Sequence, residues 1–439
     1  MSNFQGRPEP ARRWVPSARP GAKLAVFLGD ERLGTIERRG PSRYRFGYSS
    51  QALADADRGP TLSVSLPPQA KAFTPSRSAP FFDGLLPEGP VRTAIARALR
   101  VSEEDGFGLL GELGADCAGA VVVLPEGREP GSSESEGVRP LDTAELEALV
   151  ESLPRHPLGV STEPEGVRLS LGGVQQKLVL TRSPAGEFGQ PLGGAPSTCL
   201  LKPDYGLYEG LAANEAFCMR VAAAAGLDVA TAEVIQVGPT PCLYVERFDR
   251  AIDDEGRVVR THQEDMCQAL GILPAAKYEE NEGPSVAGIV GLLRSPASAR
   301  AAADINAFVK SVLVSFLLGN SDAHGKNFAL LHEAGGGTRL APLYDIVSSA
   351  VYPELTTRMA MRIGGVDDPA EVDLAAWRRL ASESGLGGQL PGLVRNWSAD
   401  VLARAEEVRE LAVAEGWHHP AIDRIVDLCR GRVAALAAS

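Results

Sequence analysis

The segment Gly319-Asn320-Ser321-Asp322-Ala323-His324-Gly325-Lys326-Asn327-Phe328 sets the tightest limit on how this chain can fold. It follows an apolar stretch of helical composition, Ala303 to Leu318, and precedes a strand-like Ala329-Leu330-Leu331. An Asp and an Asn five apart on one short loop can face a single cleft, the carboxylate taking a proton from a hydroxyl and the amide oxygen reaching a divalent cation. Eighteen residues beyond Asn327, past Gly335-Gly336-Gly337, Asp345 ends the apolar run Ala341-Pro342-Leu343-Tyr344. By themselves Asp322 and Asn327 also suit an Asx-rich turn that binds nothing. An Asp345 at a strand end favours magnesium on a phosphate, because magnesium accepts few carboxylates and completes its shell with phosphate oxygens and water. His324, between Ala and Gly, reads as a group that fixes the loop or lies near the phosphates.

Three upstream segments fit the same chemistry. In Leu169-Ser170-Leu171-Gly172-Gly173-Val174-Gln175-Gln176-Lys177 the paired glycines let backbone N–H groups approach phosphate oxygens, and Lys177 adds a positive charge. Any hairpin can use a Gly-Gly, and the chain has no GxxxxGK[ST] loop. Lys202, in Leu200-Leu201-Lys202-Pro203, ends an apolar strand after that loop, the position from which a lysine reaches nucleotide phosphates. Its expected partner is Glu215 in Ala213-Asn214-Glu215-Ala216-Phe217, although an edge-strand Lys and a surface Glu would read the same way. At Val245-Glu246-Arg247-Phe248-Asp249-Arg250 the chain leaves the strand-rich region. Backbone groups of this hinge suit adenine, with Phe248 packed beside it, and a solvated strand exit has the same look.

A chain of 439 residues exceeds what one core usually supports. The pattern predicts an α+β architecture with a strand-rich lobe feeding a helical one. The expected divisions are a flexible tail over 1–22, a mixed subdomain over 23–126, a linker over 127–142, a strand-rich lobe over 143–250 and a helical lobe over 251–439. Strands are predicted at Leu24–Leu28, Val167–Leu171, Lys177–Thr181, Thr198–Lys202, Val234–Gln236 and Cys242–Val245, with a long hairpin loop over Arg182–Ser197. Helices are predicted at Val91–Leu99, Ala212–Ala225, Ala399–Glu415 and Pro420–Ala438. The net charge of −12 argues against a protein that coats nucleic acid alone. Met1 to Tyr48 nevertheless holds ten Lys and Arg against four Asp and Glu, a patch that suits either solvent or DNA phosphates within a larger complex. Six scattered cysteines fit a reducing compartment. The Arg- and Pro-containing amino terminus lacks a signal-peptide core, and the longest apolar runs are short for a bilayer. A soluble, cytoplasmic protein without a membrane partner is the expectation.

Read in order, the Gly-Gly, Lys202, hinge, Asp322–Asn327 and Leu343-Tyr344-Asp345-Ile346 segments resemble the HipA family of bacterial toxin kinases. Phe82-Asp83-Gly84-Leu85-Leu86-Pro87-Glu88 and His262-Gln263-Glu264-Asp265-Met266-Cys267 belong to the same pattern. The resemblance implies a bilobal kinase fold with an added amino-terminal subdomain, and phosphorylation of a protein serine or threonine with ATP and Mg2+. It implies Asp322 as catalytic base and Asn327 and Asp345 as metal ligands. ATP would meet Gly172, Gly173, Val174, Gln175, Gln176, Lys177, Lys202, Glu246, Arg247, Phe248, His324, Gly325, Lys326, Asn327, Tyr344 and Asp345. Ser170 occupies the place of the family's autophosphorylated serine, where a dianion would repel nucleotide phosphates. Further implications are an aminoacyl-tRNA synthetase as substrate, a HipB-like helix-turn-helix antitoxin as partner, and operator DNA bound through that complex. Asp345 is followed by Ile346-Val347 rather than Phe-Gly, and Gln176 stands where the family carries an acidic residue. Asp322-Ala323-His324 followed by Asn327 also resembles the D-x-H-x-x-N loop of phosphoinositide kinases, so a lipid or small-molecule kinase is a second reading. A catalytically silent regulator that binds antitoxin is a third.

Overall fold

Apolar residues from Leu24 to Phe27 are buried because their strand lies between two others. In the computed structural model, β1 (Lys23–Leu28), β2 (Glu31–Gly40), β3 (Arg43–Tyr48) and β4 (Val121–Pro125) form an antiparallel sheet in the order β3-β2-β1-β4. Its inner face packs Leu24, Ile36 and Phe46 on Phe81 and Phe82 of helix Pro75–Gly84. The structure describes residues 19–439 except 42, 55–60, 133–136, 155–175, 206–207, 296–297, 299 and 334–335.

The second sheet has six strands, β5 (Gly137–Pro140), β6 (Leu178–Arg182), β7 (Phe188–Leu192), β8 (Cys199–Pro203), β9 (Ala232–Val237) and β10 (Thr240–Glu246). Their order is β5-β7-β6-β8-β10-β9. Two of them differ from the sequence expectation. β5 lies in the stretch read as a linker; it is an exposed edge strand held by pairing with β7, so no apolar pattern announces it. β7 interrupts the expected Arg182–Ser197 loop, and its Gly189 and Pro191 conceal its strand character. The predicted Val167–Leu171 strand lies outside the described residues.

Past β10 come a hairpin of β11 (Arg250–Ile252) and β12 (Val258–Arg260), and a small sheet of β13 (Gln263–Asp265), β14 (Ala329–His332) and β15 (Thr338–Leu340). The rest of this lobe is mainly helical. Among the described residues, one helix, Ala301–Leu318, is long and apolar enough to cross a membrane, and 61% of it is buried inside the protein. It packs Phe308 edge-on against Phe328, with ring centroids 5.1 Å apart. The helix stops at Gly319 (φ +80°), where a Cβ would come within 2.5 Å of Leu428. Asp345 does not end a strand. Beyond β15, Leu343 makes only an isolated parallel bridge to Val229, because Pro342 has no N–H with which to extend a ladder.

The amino-terminal subdomain is fastened to the lobes by a buried ion cluster. Asp116 is fully buried and accepts from Ser197 Oγ (2.6 Å), Arg250 (2.8 Å), Arg247 (3.4 Å) and Arg260 (3.5 Å). Asp249 completes the cluster through Arg247 at 2.8 Å. Part of the basic amino-terminal patch is likewise paired, Arg38 with Asp105 at 2.9 Å and Arg45 with Glu37 at 2.7 Å.

Burial alone would raise the Asp116 carboxyl, but Arg250, Arg247 and Arg260 outweigh it and hold it below its ordinary value. The same balance holds Asp249 low. A depressed carboxyl stabilises the fold fully above its unfolded value of about 3.9 and loses that contribution as pH falls toward its folded value. The contribution of Asp116, read as the difference in urea midpoint between wild type and Asp116→Asn, is therefore expected to be level near neutrality and to shrink once pH passes below about 4. Asp116→Ala leaves buried arginines uncompensated and is expected to cost about 3–5 kcal/mol in urea unfolding at neutral pH.

Candidate active site

A buried ammonium needs carboxylates, and Lys202 has two. From the carboxyl end of β8, its Nζ lies 2.7 Å from Glu215 Oε1 on helix Leu211–Ala224 and 2.8 Å from Asp345 Oδ1. Burial opposes the charge, yet the Asp345 and Glu215 carboxylates raise the Lys202 ammonium well above its ordinary value. Asn327 Nδ2 donates to the other Asp345 oxygen at 2.8 Å. Asp345 adopts a left-handed backbone (φ +58°), a costly conformation for a non-glycine residue, which the two bonds to its carboxylate hold in place. The residue before Glu215 on its helix, Asn214, clamps both the N–H and the C=O of Ser348, fixing the segment after Asp345.

Lys202, Glu215, Asn327 and Asp345 line a cleft of about 1110 Å³ between the lobes. The Asp345 side chain, 41% exposed, faces it. The surrounding cleft walls would raise its carboxyl, but Lys202, supported by Lys177, holds it far below the ordinary range. The Asn327 Oδ1 accepts from the His324 N–H at 3.2 Å, which leaves one of its two lone pairs. Among the described residues no group of three His, Cys, Asp or Glu gathers as a metal cage. One ionised carboxylate and one amide oxygen suit magnesium whose remaining ligands are phosphate and water.

Asp322 stands on the cleft wall with Oδ1 accepting the Tyr278 hydroxyl at 2.8 Å. Although its outer edge meets solvent, the surrounding walls raise its carboxyl; Tyr278 and Lys277 oppose the shift, and Asp345 and Glu88 reinforce it. His324 is brought down to about 3 by burial and then by Lys277, so it is neutral near pH 7, with Nδ1 buried and unpartnered among the described residues. At the other end of the cleft, Leu200, Ala230, Val245 and Phe248 give an apolar surface, and Phe248 lies 5.5 Å from the Tyr344 ring.

The structure brings Asp322, Asn327, Asp345, Lys202, His324 and Lys177 into this one cleft. Burial and the adjacent Lys202 bring the Lys177 amine down to about 8. Gln176, Glu246 and Tyr344 also line it. Ser170, Gly172, Gly173, Val174 and Gln175 lie outside the described residues. Arg247 and Lys326 also line the cleft, but their charged ends are bound elsewhere. Arg247 sends its side chain into the Asp116 cluster, and its N–H donates to Thr198 O at 2.9 Å. Lys326 is committed to Asp265 (2.6 Å) and the Gly84 carbonyl (3.1 Å), because burial forces its charge to find partners. Gly325 is required by Pro284, whose ring would lie 2.4 Å from an added Cβ.

Sequence reasoning assigned no role to Glu88, Asp265, Lys277, Tyr278 or Asn214. Glu88 reaches from the amino-terminal subdomain to Lys277 (3.1 Å) and Lys326 (3.7 Å), beneath the Asp322 loop. Asp265 carried a visible signal, since Asp265 and Gln268 form a capping box. Tyr278 carried none.

Two family descriptions match this chain: the HipA-like C-terminal domain over residues 169–414 and the HipA N-terminal domain over 24–124. The chain is 43% identical over 83% of its length to the "Putative kinase Y4mE" of Sinorhizobium fredii, covering 85% of that protein. It is 32% identical to the serine/threonine-protein kinase toxin HipA of Shewanella oneidensis, over 78% of each chain. A chain in the solved Shewanella oneidensis complex of HipA, HipB and operator DNA superposes with a TM-score of 0.78 at 26% identity, over 94% of this chain and 97% of that one.

The two lysines separate by experiment. Lys202→Met is expected to weaken ATP binding at least ~10-fold by calorimetry, through loss of a charge-assisted contact. Lys326→Met is expected to change ATP affinity far less but to lower stability by about 3 kcal/mol in urea, because Asp265 loses its buried partner.

Proposed function

Since this chain belongs to the HipA family of protein kinases, we propose that it transfers the γ-phosphoryl group of ATP to a serine or threonine hydroxyl as the toxin of a toxin–antitoxin pair. The observation that carries the reading is the convergence of Lys202, Asn327 and Asp345 with Asp322 in one cleft. In this reading Asp322 accepts the acceptor proton. Its cleft-raised carboxyl suits a base that must hold that proton briefly. Lys202, oriented by Glu215, meets the nucleotide phosphates, and the Phe248 end of the cleft takes adenine. Bound magnesium would neutralise charge on the transferring phosphate, held by Asp345 and Asn327.

The finer parts of the proposal are a synthetase-type translation component as substrate and autophosphorylation at Ser170. Ser170 precedes the Gly-Gly loop and lies seven positions before Lys177, which stands in the cleft. A HipB-like antitoxin, and operator DNA bound through it, fit the fold shared with the Shewanella HipA–HipB–DNA assembly. A reducing cytoplasm suits six buried cysteines that form no disulfide.

Purified protein with radiolabelled ATP and Mg2+ is expected to label itself or a member of an aminoacyl-tRNA synthetase panel. Absence of any phosphoprotein would overturn the toxin-kinase reading. Asp322→Ala is expected to lower transfer by roughly 10²–10⁴-fold while sparing ATP binding. Ser170→Asp is expected to weaken ATP affinity in calorimetry, and an unchanged affinity would remove self-inactivation from the proposal.

A further inference from the structure

We infer that Tyr278 is a positioning residue for the phosphoryl-transfer reaction: its phenol fixes one oxygen of Asp322 so that the other faces the acceptor hydroxyl. This rests on the reading of Asp322 as the base. The Tyr278 O–H donates to Asp322 Oδ1 at 2.8 Å, and among the described residues no other side chain or backbone group donates to that carboxylate. A lone carboxylate on a solvent-facing loop rotates freely; one held through a single oxygen keeps the second in a defined direction, which is what proton abstraction needs.

The phenol is itself held. Its ring stands edge-on to the His324 ring, centroids 5.2 Å apart and planes at 81°. The backbone carbonyl of Tyr278 accepts from Asn281 and Gly283, each at 3.0 Å, closing a tight turn. On either side the segment is joined to the catalytic loop. Gly325 N–H donates to Lys277 O at 3.3 Å, and Glu279 N–H donates to Ala360 O at 3.0 Å, while Ala360 N–H donates to Ser321 O at 2.8 Å. The Glu279 carboxylate accepts the Arg362 N–H at 2.6 Å, and Lys277 is anchored on Glu88 at 3.1 Å. Tyr278 thus rides on a strut bonded to the residues on both sides of Asp322. A surface tyrosine that met the carboxylate by chance would need no such strut.

Tyr278→Phe keeps the ring, its His324 contact and the strut, and removes only the donor. With full-length protein and a phosphorylatable acceptor, kcat is expected to fall about 10-fold, as loss of a hydrogen bond to a charged group implies. The KM for ATP and the calorimetric ATP affinity should stay at wild-type values, and the urea midpoint should move by no more than the loss of that one hydrogen bond allows. An unchanged or increased kcat would overturn the inference, the increase showing that the phenol blocks the acceptor. So would a loss of kcat accompanied by a matching loss of ATP affinity or stability, or mass-spectrometric phosphate on Tyr278, which would make it an acceptor. Asp322→Ala separates the two levels. If that variant retains transfer, the base assignment fails; if it is inactive while Tyr278→Phe matches wild type, only the role of Tyr278 fails.

Discussion

The Lys202 ammonium between Glu215 and Asp345 is the interaction on which the rest of the cleft depends. A charge removed from water must be neutralised at close range. Here one neutralising group comes from the helix that follows the strand and the other from a loop 143 residues beyond Lys202. Satisfying that one ammonium therefore fixes the distance between the strand-rich lobe and the helical lobe. It also holds Asp345 in a left-handed conformation that it would not otherwise keep. Asn327 and Asn214 then extend the constraint, the first to the Asp322 loop and the second to the segment after Asp345.

The amino-terminal subdomain belongs to the same system. Glu88 lies under the Asp322 loop with Lys277 and Lys326, and Asp116 gathers arginines that follow strand β10. Both contacts are charged and largely buried, so they are specific in geometry and cannot slide. A motif such as Phe82–Glu88, more than two hundred residues from Asp322, thereby connects to Asp322 through Lys277 and the turn that carries Tyr278.

Legibility in the sequence followed the range of the forces. The apolar helix expected over Ala303 to Leu318 was readable, and forms over Ala301–Leu318, because a long apolar face acts within a few residues. β5 and β7 were not, because one is an edge strand without an inward face and the other is masked by Gly189 and Pro191. The expected strand before Asp345 reduced to a single bridge at Leu343, since an apolar run says nothing about which backbone groups find partners. Lys326 and Arg247 line the cleft, but where their charged ends go was not readable, because a long cationic side chain goes to whichever carboxylates or carbonyls burial leaves unpaired.

By itself the sequence determined the residue types and their short-range spacing. Asp322 and Asn327 share a loop, Glu215 sits on a helix after Lys202, and glycines stand where the chain must turn or pack closely. Only the tertiary structure decided which oxygens face which nitrogens. It set Lys202 against Asp345, gave Glu88 to Lys326 of the Asp322 loop and to Lys277 beside Tyr278, and placed a tyrosine hydroxyl on the carboxylate proposed as base. The physical reason is that periodicity and turn chemistry act along the chain, whereas the pairing of buried charges depends on what the remainder of the fold brings within about 3 Å.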